Sequence, residues 1–144
     1  MAERSLRIAF AVVAWLFLIA IVIQVFLAGV GLFVRGIDTF SYHRALGWQL
    51  PIGPMLGLLF AWAAGAGRAT ISLSAVLVVL VVVQPMLPGL RTDLPFVAAL
   101  HPVNAVAIFG LATLVARRAL ALARQPGSRA ASPSELFEGP ANRP

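Results

Sequence analysis

Cysteine is absent from the 144 residues. Disulfides, thiolate metal sites and cysteine nucleophiles are therefore all excluded. Lysine is absent too, because all eleven basic residues are arginine. Acidic residues number five, and none of them lies inside an apolar run, which argues against a proton relay built on Asp or Glu. Histidine occurs twice, as His43 and His101. Two histidines alone make a poor zinc site, which usually needs three or four protein ligands. The chain also has no glycine-rich phosphate loop. Ser72 and Ser74 fall near the membrane face opposite the histidines, so a nucleophilic constellation fails as well.

What remains is overwhelmingly apolar. Hydrophobic residues make up 60% and charged residues 11%. Such a chain has too few polar groups to cover a soluble surface, so lipid must cover much of it. The length accommodates about four spans of about 20 residues, with short loops and one tail. The expected fold is all-α: an integral membrane four-helix bundle over residues 1–124, with spans near 8–34, 40–66, 69–87 and 94–117. Residues 125–144, rich in Pro, Ser, Ala, Gly and Arg, are expected to form a disordered cytoplasmic tail.

Punctuation along the chain supports this division. The run from Ile8 to Val34 has Gln24 as its only strongly polar side chain and is too long for a signal-peptide core. Asp38 or Thr39 is a candidate N-cap for the second span. That span contains Pro51 and Pro54, which bilayer helices tolerate as kinks. Gly65-Ala66-Gly67-Arg68 predicts a tight turn. Leu77 to Val83 is uniformly aliphatic and mimics a buried strand, but an open sheet cannot span lipid, so it predicts a helix. Pro85, Pro88 and Gly89 end the third span. Arg91-Thr92-Asp93-Leu94-Pro95 offers a cap for the fourth, and Pro102 should bend it beside His101.

The arginines flank the runs instead of lining one polar face, which fits membrane orientation better than nucleic-acid binding. With four spans, one side carries Arg4, Arg7, Arg68, Arg117, Arg118, Arg124, Arg129 and Arg143, and the other Arg35, Arg44 and Arg91. The positive-inside rule then places both termini in the cytoplasm, in the inner (plasma) membrane of a bacterial cell. Gln24, His43, Gln49, Gln84, His101 and Asn104 all fall in the outer half of the bilayer. The inner half is almost free of buried polar groups. His43 lies roughly 8 Å along its helix from Asp38, and His101 roughly 12 Å from Asp93, so the two imidazoles share a depth.

Three readings of this polar belt follow. Buried amides and imidazoles can hydrogen-bond across helices and set packing in a non-enzymatic structural or accessory protein. Alternatively, two neutral imidazoles on alternate helices, at matched depth in a dry bundle, are what bis-imidazole iron ligation needs. In that case the metal ligands are His43 and His101, the cofactor is heme b, and Gln24, Gln84 and Asn104 are cofactor-binding residues beside them. Arg35, Arg44 and Arg91 at the rim pair with the propionates, and Gly47, Pro54 and Gly57, facing Ala105 and Ala112, leave a slot beneath the rings. A quinone or other small-molecule pocket is a third reading, and a membrane redox partner would accompany either ligand.

Gln24-Val25-Phe26-Leu27-Ala28-Gly29-Val30 with Arg35, His43-Arg44-Ala45-Leu46-Gly47, and His101 with Ala105 resemble one four-helix half of the heme A synthase family. The resemblance covers about residues 8–117. It extends to small four-helix bacterial membrane proteins without assigned function. Each half of heme A synthase ligates heme through a histidine on its second helix and another on its fourth, which the resemblance carries to His43 and His101. That family has a glutamate three residues before its second-helix histidine, and Phe40 stands there in this sequence. The resemblance therefore implies a shared scaffold and heme b, but not heme A synthesis.

Overall fold

The structure is a computed structural model that describes residues 2–34 and 38–126. Every regular element among them is helical: α1 (Ala2–Phe33), α2 (Thr39–Gln49), α3 (Ile52–Ala63), α4 (Gly67–Val83), a 3-10 helix (Leu87–Arg91), α5 (Pro95–Ala98) and α6 (Leu100–Ala123). They form four columns, α1, α2–α3, α4 and α5–α6. Three columns are long and apolar enough to cross a membrane: Ala2–Phe33, Phe40–Ala63 and Pro95–Ala123. The fourth, Gly67–Val83, is a shorter apolar helix of 17 residues. The 125–144 tail prediction falls almost wholly outside the described residues, as does Arg35.

Local chemistry accounts for the breaks. Asp38 caps α2, its carboxylate accepting from the Ser41 amide at 3.2 Å. Proline explains the interruption between α2 and α3. Pro51 and Pro54 have no N–H, so the Leu50 carbonyl accepts instead from the Gly53 amide at 3.1 Å, a tighter turn than the α-helical one. Gly65 and Gly67 take positive φ of 64° and 75° and reverse the chain between α3 and α4, as their spacing predicts.

Two local expectations are corrected. The break in the last column falls at Ala99 and not at Pro102, because the proline's missing N–H and its ring act on the preceding turn. Asp93 does not cap α5. Leu94 occupies the cap position without a side-chain hydrogen bond, and its amide turns back to the Leu90 carbonyl at 2.8 Å.

The columns close into a ring in which α1 packs on α2, α3 and α6, while α4 packs on α3 and α6. The buried positions repeat with spacings of three and four: Phe10, Ala14, Phe17 and Ile21 on α1; Thr70, Ser74, Leu77 and Val81 on α4; Ile108, Ala112, Val115 and Ala119 on α6. Column two contributes Pro54, Gly57, Ala61 and Ala64 to this seam. Lipid is as apolar as leucine, so these helices associate through close packing of large against small side chains, not by expelling water. Phe17 seated over Gly53 is one instance; a Cβ there would lie 2.7 Å from the ring.

Exposed Leu, Ile, Val, Phe and Trp side chains cover the outside, as contact with lipid requires. Nearly all of the buried apolar core lies below Gln24 and the histidines. The half away from the histidines is not wholly apolar: Thr70 and Ser74 are buried there, and the Ser74 hydroxyl donates to the Thr70 carbonyl at 2.9 Å. That bond stays within α4 and joins no other helix.

Candidate functional site

The end of the bundle that carries the histidines is held by hydrogen bonds. Gln24 lies on α1 and His43 on α2; the Gln24 side-chain amide donates to the His43 carbonyl at 2.7 Å. His43 Nδ1–H returns a bond to the Gln24 carbonyl at 3.1 Å. The same reciprocal pair recurs between the end of α4 and the start of α6. There Gln84 Nε2 donates to the His101 carbonyl at 2.9 Å, and His101 Nδ1–H donates to the Gln84 carbonyl at 3.0 Å.

Sequence explains why the second carbonyl is free. Gln84 caps the C-terminus of α4, where the last carbonyls have no helical partner, and the residue four positions on is Pro88, which has no N–H to offer. The two pairs join residues 19 and 17 apart in sequence. They form an internal repeat that no run of similar residues announces. Its only signal is a glutamine late in an apolar helix, followed by a histidine early in the helix that comes next.

A carbonyl only accepts, so each Nδ1 carries the proton, and in the neutral ring each Nε2 keeps a free lone pair. The two rings meet across the bundle with centroids 6.4 Å apart and planes at 72°. Both histidines are half-buried. α2 and α6 do not pack closely on each other as the other neighbours do. The imidazoles therefore bridge a gap between helices.

The surroundings of the two pairs differ. Asn104 Nδ2 donates to Gln84 Oε1 at 2.7 Å and to the Leu80 carbonyl at 2.9 Å, so the second pair is a three-residue network. Gln24 Oε1 is buried and has no hydrogen-bond partner among the described residues. The residue three after His43 is Leu46, where the second pair has Asn104. Beside the first pair, Phe40 stands edge-on to His43 with centroids 6.0 Å apart and presses into the space left by Gly31.

The structure thus brings together His43, His101, Gln24, Gln84 and Asn104. Gln49 stays outside this group, exposed, its amide donating to the Ala45 carbonyl of its own helix at 3.2 Å. Arg44 and Arg91 are exposed, and neither makes a hydrogen bond or ion pair to the histidines; Arg44 faces Asp38 at 3.4 Å. The slot expected under the rings is closed. Phe17 fills the space at Gly53, and the Gln24 amide stands against Gly47, where a Cβ would be 3.0 Å away. A 10 Å³ cavity, lined by Pro54, Gly57 and Ala112 among others, remains. It has room for about one water.

Residues 24–91 match DUF6220, a family of unknown function. The matched stretch opens at Gln24, takes in His43 and Gln84, and stops short of His101. No curated protein and no solved structure matches the chain. Heme A synthase is not among the matches.

Proposed function

We propose that this protein is a small b-type heme protein of the membrane, with His43 and His101 as axial ligands, serving electron transfer or heme handling. The observation that carries the reading is the pair of matched Gln–His bonds, which present two Nδ1–H imidazoles 6.4 Å apart across the bundle. His43 and His101 are the residues that would hold the iron, their rings meeting with centroids 6.4 Å apart. A backbone carbonyl on Nδ1–H is also the usual way to orient a ligating histidine and raise its basicity. Heme fits this donor set because the macrocycle supplies four nitrogens itself, so two protein ligands suffice.

The iron would supply one-electron chemistry. The chain would supply two imidazoles oriented by their Nδ1–H bonds, within an apolar bundle. Gln24, Gln84 and Asn104 act by holding rings and backbone, not by touching the cofactor. A membrane-resident redox protein or a quinone is the partner class this role implies. The arginine asymmetry supports both termini in the cytoplasm and the histidines near the outer face of the inner membrane.

Absorbance of protein purified after growth with added heme precursor tests the reading. Intense bands between about 400 and 600 nm are expected in wild type and absent from His43→Ala and His101→Ala, while Gln84→Ala keeps a perturbed spectrum. A wild-type protein without a Soret band would remove the heme.

A second reading has an observation of its own: most polar groups of the belt are spent on one another or on backbone carbonyls. On that reading the pairs only fasten proline-broken columns to their neighbours. His101→Ala would then lower thermal stability with no spectrum to lose.

A further inference from the structure

We propose that the arginine-rich end of the bundle holds the phosphate of an anionic phospholipid in a cleft between Arg4 and Arg124. α1 and α6 pack along their length in opposite directions, so the first turn of α1 meets the C-terminus of α6. There Arg4, Ala123, Arg124, Gln125 and Pro126 line an open cleft of 460 Å³. No acidic residue among the described residues lines it.

Glu3 is the only acid among the described residues at this end, and Arg7 pairs with it at 2.5 Å. Arg4 and Arg124 have no ion-pair partner among the described residues. α1 has 32 residues, about 48 Å of helix, which exceeds a hydrocarbon core of about 30 Å. Its first turn therefore sits at headgroup depth.

Two arginines lining one cleft, one at the start of α1 and one at the end of α6, suit a phosphate, which accepts paired N–H bonds. Basic pockets between helices at the cytoplasmic face are a recurrent form of lipid headgroup site. The chain's own residues 127–144 are the competing occupant, since Pro126, which precedes them in sequence, lines the cleft. They carry two arginines against two glutamates, so they complement a doubly cationic cleft poorly. A phospholipid phosphate carries net negative charge and is present at that depth at high local concentration.

The full chain in phosphatidylcholine nanodiscs, with and without phosphatidylglycerol, tests this by the lipid retained in native mass spectrometry. Wild type is expected to retain phosphatidylglycerol over phosphatidylcholine by about tenfold, a preference lost in R4Q/R124Q and reduced in each single variant. R117Q/R118Q, which removes the same charge elsewhere on α6, is expected to keep it. Equal retention of both lipids, or a preference unchanged in R4Q/R124Q, would overturn the site. Displacement of the lipid by inorganic phosphate alone would reassign the cleft to a free anion. Stronger lipid retention after truncation at Pro126 would reassign it to the tail. The single variants, exposed and at helix ends, keep the test open if the double variant does not fold.

Discussion

Residue by residue, the histidine end of the bundle depends on a handful of hydrogen bonds whose contributions differ by count. The Gln84 side chain makes two, to the His101 carbonyl and from Asn104, whereas the Gln24 side chain makes one and leaves Oε1 unpartnered. At about 0.6 kcal/mol for each interhelical bond in a bilayer, Gln84→Ala should cost about 1.2 kcal/mol and Gln24→Ala about half of that. Unfolding in a mild-detergent SDS titration would measure both, and equal costs would contradict the bond count. The unpaired acceptor makes a sharper prediction. Leu46→Asn places beside Gln24 the amide that Asn104 gives Gln84, and is expected to stabilise by a few tenths of a kcal/mol to about 0.6. A loss of stability would mean that the two pairs are not equivalent.

At the scale of elements, the columns divide the work: a three-and-four seam of large and small side chains below, reciprocal polar pairs above. Glycines test the lower part. Gly53→Ala forces a Cβ to 2.7 Å from Phe17 and should cost about 1–3 kcal/mol by overpacking, while Gly110→Ala meets nothing within 4 Å and should be neutral or slightly stabilising. Thermal melts of the two variants would show a clear difference in sign or size. Much of this level could be read from the sequence. Asp38 as a cap, Gly65 and Gly67 as a reversal, and a proline break in the second column each follow from one residue's own chemistry. Placing Gln24, Gln84, Asn104 and the histidines in one half followed from counting residues along each run.

What the sequence hid depends on helix rotation. Which carbonyl an imidazole finds, whether Phe17 faces Gly53, and whether Gln49 turns in or out are settled by angles that no local pattern records. The glycine-lined slot failed for that reason. Small residues leave room for a neighbour's bulk as readily as for a ligand. Pro102 shifted the last break one turn earlier because a proline disturbs the turn before it.

At the scale of the whole molecule, the charges should fix how the bundle sits in the membrane. Single cysteines, introduced into a chain that has none, should report Gly67 from the cytoplasm and Asp38 and Thr92 from outside. Labelling of Asp38 and Gly67 from the same face would break the four-column arrangement across the bilayer. The central claim is that the two matched pairs hold one iron between His43 and His101, and hemin titration of the heme-free protein tests it most directly. The account predicts saturation at one heme per chain with a six-coordinate, low-spin spectrum, and no such complex in the His43→Ala/His101→Ala double variant. Non-saturable uptake in wild type, or an unchanged complex in the double variant, would contradict it.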